Sequence, residues 1–487
     1  MLSGVCGHRG CASSLNANAN THHRHARHAV VASAQRQQQQ QQKVQQEQGT
    51  SVLARGAAAG PGARLAAGAA SAALSATLLL GAFVAPPPAD AITTQQLLFL
   101  EAWRAVDRAY VDKGFNGQSW FRIREKYLKQ EPMDNRDQTY AAIMKLLASL
   151  DDPFTRFLPP DRLQALRRGT SGSVTGVGVE VTYPPVGSGE KALRVVTPIP
   201  GGSADAAGVK AGDSIVSIDG TSTEGLSLYE ASDLLLGAPN SEIVLSVRSG
   251  TAPPKTLTLT RRAFIVPPVN YSMCGSVAPG VGPAGVDGPI GYIRIATFNT
   301  QTAEAWKDAL VAVRKAGATR IVMDIRNNGG GLFPAGVEVA RSLVGTGDIV
   351  LIADANGTRD IYSATGVMSV IDGTTPLSVI VNQGTASASE VLAGSLQDNR
   401  RATIVGETPR TFGKGLIQTV VDLSDGSGIT VTVAQYRTPL GTDINKVGIA
   451  PDLMVAPESL PLGLTTGDGK FCAAVGPGAS APPLLFK

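Results

Sequence analysis

Twice in its second half the chain runs an apolar, β-branched stretch into a turn of small residues and then into a helical pattern. The first case is TRIVMDIR at 319–326, followed by NNGGG at 327–331 and a helix through Val337 and Leu343. The second is PLSVIVN at 376–382, which runs into GTASASEVLAGSLQDN. Strands this uniformly apolar are buried on both faces, and joining them through helices predicts parallel pairing with crossover connections. GYIRIATF from Gly291 reads as a further strand and 302–315 as a further helix. Reactive groups in such sheets gather at the carboxyl ends of the strands, where both small-residue turns fall.

The second turn carries Ser387 and Ser389, and Lys414 follows between two glycines in FGKGLIQ. A serine hydroxyl needs a base to act as a nucleophile near neutral pH, and histidine is the usual one. All five histidines (His8, His22, His23, His25 and His28) lie in the first 28 residues. Residues 1–60 are rich in Ala, Ser, Arg, His and Gln and nearly free of acids, as in an organelle transit peptide. Arg64 then precedes an apolar run from Leu65 to Ala85, three prolines and Ala89-Asp90-Ala91. That order matches an export signal with an A-x-A cleavage site and favours removal over retention as a membrane anchor. Residues 1–91 therefore read as a bipartite leader addressed to the chloroplast thylakoid lumen, and the mature chain from Ile92 holds no histidine. A lysine could replace the missing base if apolar burial disfavours its charged form.

Charge narrows the partners. Seven of the 43 Lys and Arg and two of the 39 Asp and Glu fall within 1–91, so the remainder holds 36 basic and 37 acidic residues. No phosphate-neutralising excess remains, which excludes a nucleic-acid partner on electrostatic grounds. Cys274 and Cys472 are the only cysteines past the leader, too far apart for a metal knuckle. They read either as two buried thiols or as one disulfide, which an oxidising compartment would permit.

Residues 92–168 read as a small helical domain, with helices over 94–110, 119–129 and 139–150 and prolines in LDDPFTRFLPP ending the helical run. The texture then changes to glycines and short alternating stretches, giving strand, strand, short helix, strand, helix, strand over 169–263. GVGVEVTY and AGVKAGDSIVSIDG make this region resemble a PDZ domain. The turn Gly176-Val177-Gly178 would offer backbone N–H groups to a terminal carboxylate, and the adjacent strand edge would pair with an extended peptide.

With RIVMDIRNNGGG, TASASEVLAGSLQDN and TFGKGLIQ downstream of that region, residues 92–460 resemble the C-terminal processing (tail-specific) serine peptidases. The resemblance implies a multidomain α+β protein: helical N-terminal domain, PDZ domain, and an α/β, crotonase-like Ser/Lys peptidase core over 264–487. It implies Ser387 as nucleophile, Lys414 as general base and Gln418 as the residue orienting it. Gly330, Gly331 and Ala388 would form the oxyanion hole, Asn327 and Asn328 would brace that turn, and no metal or cofactor would be needed. Asp398 matches a position linked to activity in relatives, or caps its helix. The implied substrate is the C-terminal tail of a thylakoid membrane protein, the photosystem II D1 precursor, with at most peripheral membrane contact. One departure stands out: TPRT between Glu407 and Phe412 is two residues longer than the family pattern, a loop expected to bulge outward because FGKGLIQ is intact. Singly, Ser387 reads as a helix cap and Lys414 as a surface lysine. Together with the glycine turn and the PDZ signature they read as catalytic.

Overall fold

The structure, a computed structural model, describes residues 92–486 apart from 184–190, 200, 227, 277, 279–287, 355–356, 367–371, 457–458, 461–468 and 477–484. The leader thus lies outside the described residues. Helix α1 (Thr94–Ala109) opens on Thr93 rather than Thr94, through a reciprocal capping box with Gln96. Helices α2 (Trp120–Gln130) and α3 (Arg136–Ala148) follow, the latter capped by Asn135. The prolines after α3 do not end helical structure. A short strand β1 (Arg156–Leu158) leads into α4 (Pro160–Thr170), where the fixed φ of Pro160 suits the first helical turn.

The glycine-rich region forms β2 (Ser173–Gly176), β3 (Val179–Thr182), β4 (Leu193–Pro198), α5 (Ser203–Ala206), β5 (Ser214–Ile218), β6 (Thr221–Ser222), α6 (Leu228–Leu235), β7 (Glu242–Arg248) and β8 (Lys255–Thr260). Its sheet runs β3-β4-β5-β7-β8, which leaves β3 on an edge. GSVTGVGVEVTY is not one strand. Gly178 takes a φ of +77° and breaks it, so that β2 leaves the sheet and pairs with β9 (Arg262–Ile265). A Cβ at Gly178 would also come within 2.9 Å of the Phe264 ring.

The remaining strands are β10 (Val269–Cys274), β11 (Ile290–Ile295), β12 (Arg320–Asp324), β13 (Thr346–Asp354), β14 (Gly357–Thr365), β15 (Leu377–Val381), β16 (Thr403–Gly406), β17 (Leu416–Asp422), β18 (Gly428–Arg437) and β19 (Leu453–Met454). Helices α7 (Thr302–Lys315), α8 (Phe333–Arg341), α9 (Ala388–Asp398) and α10 (Gly469–Val475) intervene. The central sheet runs β10-β11-β12-β15-β16-β19, parallel from β11 onward as the apolar strands require. Strand alternation sends Ile293 and Met323 to a core with Trp306, Leu310 and Leu392. Tyr292, Val322, Ile380 and Val405 face the other way, where the C-terminal segment covers them with Phe471, Val475, Leu485 and Phe486. A Cys274–Cys472 disulfide fastens that cover, so the open alternative for the two cysteines resolves to a bridge.

A second sheet orders β1-β18-β13-β14, with β17 also on β18. Phe99, Val106, Ile143 and Leu147 of the N-terminal helices share one core with Ile429 and Val431 of β18. The first segment is therefore built onto the sheet that carries Lys414 at its margin.

Candidate active site

Strand β15 ends at Val381, and its exit turn is drawn tight by two side chains. Asn382 accepts the N–H groups of Asn327 and Gly384 (both 3.0 Å), while Thr385 donates to the Ile325 carbonyl (2.9 Å). The chain then enters α9 through Ser387, whose φ of +58° and ψ of −118° lie outside the usual regions for a residue with a Cβ. Such conformations persist only where surrounding bonds over-determine them, and they cluster at functional turns. Ser387 is half-buried, at the sharp strand-to-helix turn. Ser389 is fully buried and its hydroxyl donates to the Asn328 carbonyl at 2.9 Å.

Gly330 and Gly331 meet this turn. A Cβ on Gly330 (φ +98°) would lie 2.7 Å from the Ser387 Cβ and 3.0 Å from the Ala388 nitrogen. On Gly331 it would collide with the Phe298 carbonyl. Asn328, fully buried, donates to the Ile295 carbonyl (2.9 Å) and accepts the Gly330 N–H (2.9 Å). The Gly330 donor is thus engaged, whereas the Gly331 and Ala388 N–H groups have no hydrogen-bond partner among the described residues. Ala388 is the first residue of α9, where the helix leaves its N–H groups unsatisfied and its dipole favours negative charge.

Lys414 lies on the approach to β17 and is only 8% exposed. Its backbone and that of Ser387 converge on one carboxylate. Glu390 Oε2 accepts Ser387 N–H (2.9 Å) and Lys414 N–H (3.0 Å), so the two backbone nitrogens lie within about 6 Å. Glu390 Oε1 accepts the Thr411 hydroxyl and the Gly413 N–H, both at 2.6 Å. Tyr436 adds its hydroxyl to Oε2 at 3.3 Å. Glu390 is fully buried, and that burial pushes its carboxyl up against the downward pull of these donors. Burial acts oppositely on Lys414: desolvation first, and the Arg156 cation second, bring its amine down to about 8. The Lys414 Nζ stands 5.0 Å from the centroid of the Phe154 ring.

The longer loop before Lys414 is absorbed outside the site. Pro409 and Arg410 are exposed, while Thr411 is buried and bonded to Glu390 and to the Ile449 N–H (2.8 Å). Gln418 on β17 donates to the Thr432 hydroxyl of β18 at 3.4 Å. Asp398 accepts the Leu440 N–H (2.8 Å) at the far end of α9, which ties down a turn. Asn327 accepts from Asn382 (2.9 Å) and from Thr182 of β3 (3.1 Å), so it joins the glycine-rich domain to the turn. In that domain the Val177 and Gly178 carbonyls accept the Ala204 and Ile199 N–H groups (3.0 and 2.8 Å). The N–H groups of Val177 and Gly178 find no backbone partner among the described residues. Gly176 ends β2, opposite Arg262.

Sequence reading passed over Glu390, Phe154 and Tyr436. Only Glu390 had a local signal, its position three residues after Ser387 in a capping-box spacing.

Comparison with known proteins bears on this arrangement. Residues 289–455 match the profile of peptidase family S41, and 194–249 that of a PDZ domain. The chloroplastic C-terminal processing peptidase of Tetradesmus obliquus is 59% identical over 402 residues, 82% of this chain and 84% of that one. The chloroplastic carboxyl-terminal-processing peptidase 2 of Arabidopsis thaliana is 48% identical over 80% of this chain and 73% of its own. A solved photosystem II D1 C-terminal processing protease superposes with a TM-score of 0.65 at 58% identity, over 81% of this chain and 100% of that one. The chain with Ser387 and Lys414 held on one buried carboxylate belongs to peptidase family S41, among the C-terminal processing serine peptidases.

Proposed function

We propose that the protein is a Ser/Lys-dyad endopeptidase that trims the C-terminal extension of the photosystem II D1 precursor in the chloroplast thylakoid lumen. The observation that carries the dyad is the burial of Lys414 within backbone reach of Ser387. The neutral Lys414 amine takes the Ser387 hydroxyl proton as Oγ attacks the scissile carbonyl. Negative charge developing on that oxygen is met by the Gly331 and Ala388 N–H groups, with Gly330 shaping the turn rather than donating. The Lys414 ammonium protonates the leaving amine. A water deprotonated by Lys414 then hydrolyses the acyl-enzyme. Gln418, pinned to Thr432, orients the strand that follows the lysine.

Ser387 is preferred to Ser389 because the Ser389 hydroxyl is buried and already donated. The tail would be captured at Gly176, Val177 and Gly178 and along the β3 edge. The division into leader (1–91), helical segment (92–168), PDZ domain (169–263) and catalytic domain (264–487) is part of the same proposal. The substrate and compartment rest on the printed identities of the relatives and on the leader's composition. The test is incubation with a peptide of the D1 extension bearing a free carboxyl terminus, followed by mass spectrometry. Cleavage is expected to vanish in Ser387→Ala and persist in Ser389→Ala; equal cleavage by wild type and Ser387→Ala sinks the assignment.

A further inference from the structure

The segment 151–157 (DDPFTRF) joins the N-terminal helices to β1, and nothing in its composition marks it as chemical. In the fold it is clamped at each residue. Asp152 accepts the Phe154 N–H (2.9 Å) and the Thr155 hydroxyl (2.6 Å), and Thr155 accepts the Thr432 N–H (3.0 Å). Arg156 pairs in register with Thr430 of β18. This clamp presents the Phe154 ring to the Lys414 amine at 5.0 Å. Two residues on, the Arg156 guanidinium straddles the Asp233 carboxylate of α6 with bonds of 2.8 and 3.2 Å. Arg162 adds bonds to the Asp233 and Leu236 carbonyls (2.8 and 2.5 Å), so the end of the PDZ helix is seated on this segment.

Four charged or titratable groups define the electrostatics here. Arg156 faces Lys414 from β1, Asp152 from the loop before it and Glu390 from α9, while Asp233 reaches Arg156 from α6. The cation opposes an ammonium at Lys414, whereas the carboxylates of Glu390 and Asp152 favour it. Arg156 is about a quarter exposed and ion-paired, so solvent and Asp233 both weaken its field.

We propose that Arg156 is a positioning residue for the peptidase reaction, setting how readily the Lys414 amine takes up a proton, and that Asp233 of the PDZ helix moderates it. Seating of the PDZ helix is thereby felt at the base. This rests on the reading of Lys414 as general base, and the two ideas fail in different ways.

The experiment is the pH dependence of kcat/KM from pH 6 to 10, using the mature chain and a D1-extension peptide. Arg156→Gln removes the opposing cation, so the acid limb moves up by about half a pH unit, a roughly threefold loss near pH 7 that disappears by pH 10. Asp233→Asn exposes Lys414 to the full cation, so the limb moves down. Arg156→Lys keeps the charge and holds the limb near that of wild type. Opposite shifts in the first two variants support the proposal; equal losses at every pH, or limbs that stay where they are, overturn it. Should Arg156→Gln not fold, the direction of the Asp233→Asn limb decides alone, with a downward shift in favour and none against. Lys414→Ala is the control: if it cleaves normally the base assignment itself falls, and if it is dead while the other limbs do not move, only the present inference falls.

Discussion

Lys414 owes its reactivity to a cost the fold carries. Its amine is brought from 10.5 to about 8 mainly by burial, so between those values the folded chain binds fewer protons than the unfolded one. The contribution of this group to stability therefore rises with pH across pH 8 to 10.5, and below pH 8 it is a constant penalty of about 3 kcal/mol. Lys414→Met is expected to raise the melting temperature at pH 7 and to lose that gain toward pH 10.5, as thermal melts at the two values would reveal. A variant no more stable than wild type at pH 7 would mean that the amine is not desolvated. In the wild type, kcat/KM should climb through an apparent value near 8, since only the neutral amine can accept the serine proton. The sequence pointed to Lys414 through FGKG and the absence of histidine. It could not display the ring of Phe154 or the cation of Arg156, which arrive from more than 250 positions away in the chain.

At the level of elements, the site is a meeting of two turns from parallel strands and the entry to a third strand. Both turns were legible, because uniformly apolar strands followed by glycine or small residues carry their meaning locally. The agent that locks them together was not. Glu390 belongs to α9 by sequence, yet its oxygens serve the backbones of Ser387, Gly413 and Lys414. Glu390→Gln replaces one acceptor oxygen with a donor and leaves buried N–H groups unmatched. The expected result is a loss of about 2 kcal/mol in chemical denaturation and roughly 100-fold in kcat, with KM little changed. Gly330→Ala is a sharper test of the junction between the turns. Its Cβ would press on Ser387 and the Ala386 carbonyl at 2.7 and 2.8 Å, and its φ of +98° disfavours any side chain. Activity should be lost and stability should drop by more than 1 kcal/mol, while full activity in this variant would place the turns further apart.

Across the whole molecule, the C-terminal segment is structural. Phe471, Val475, Leu485 and Phe486 close one face of the central sheet, and the Cys274–Cys472 bridge spans 198 residues. Chain-entropy arguments for a loop that long give about 5 kcal/mol as an upper figure, so the Cys274→Ser, Cys472→Ser double variant should melt several degrees lower. The same fall should follow reduction of the wild type and be absent when the double variant is treated with the same reductant. The sequence by itself determined the parallel sheet, the glycine turns, the PDZ-like region, the pairing of serine with lysine and the lack of a mature histidine. Each of these is written in residues adjacent along the chain or in simple counts. Only the tertiary structure decided that the N-terminal helices share a core with the sheet beside Lys414, that the two cysteines bridge, and that Gly331 rather than Gly330 has its N–H to offer. Those outcomes depend on which distant groups compete for the same buried oxygen, the same apolar face or the same hydrogen bond, and that competition exists only once the chain has closed.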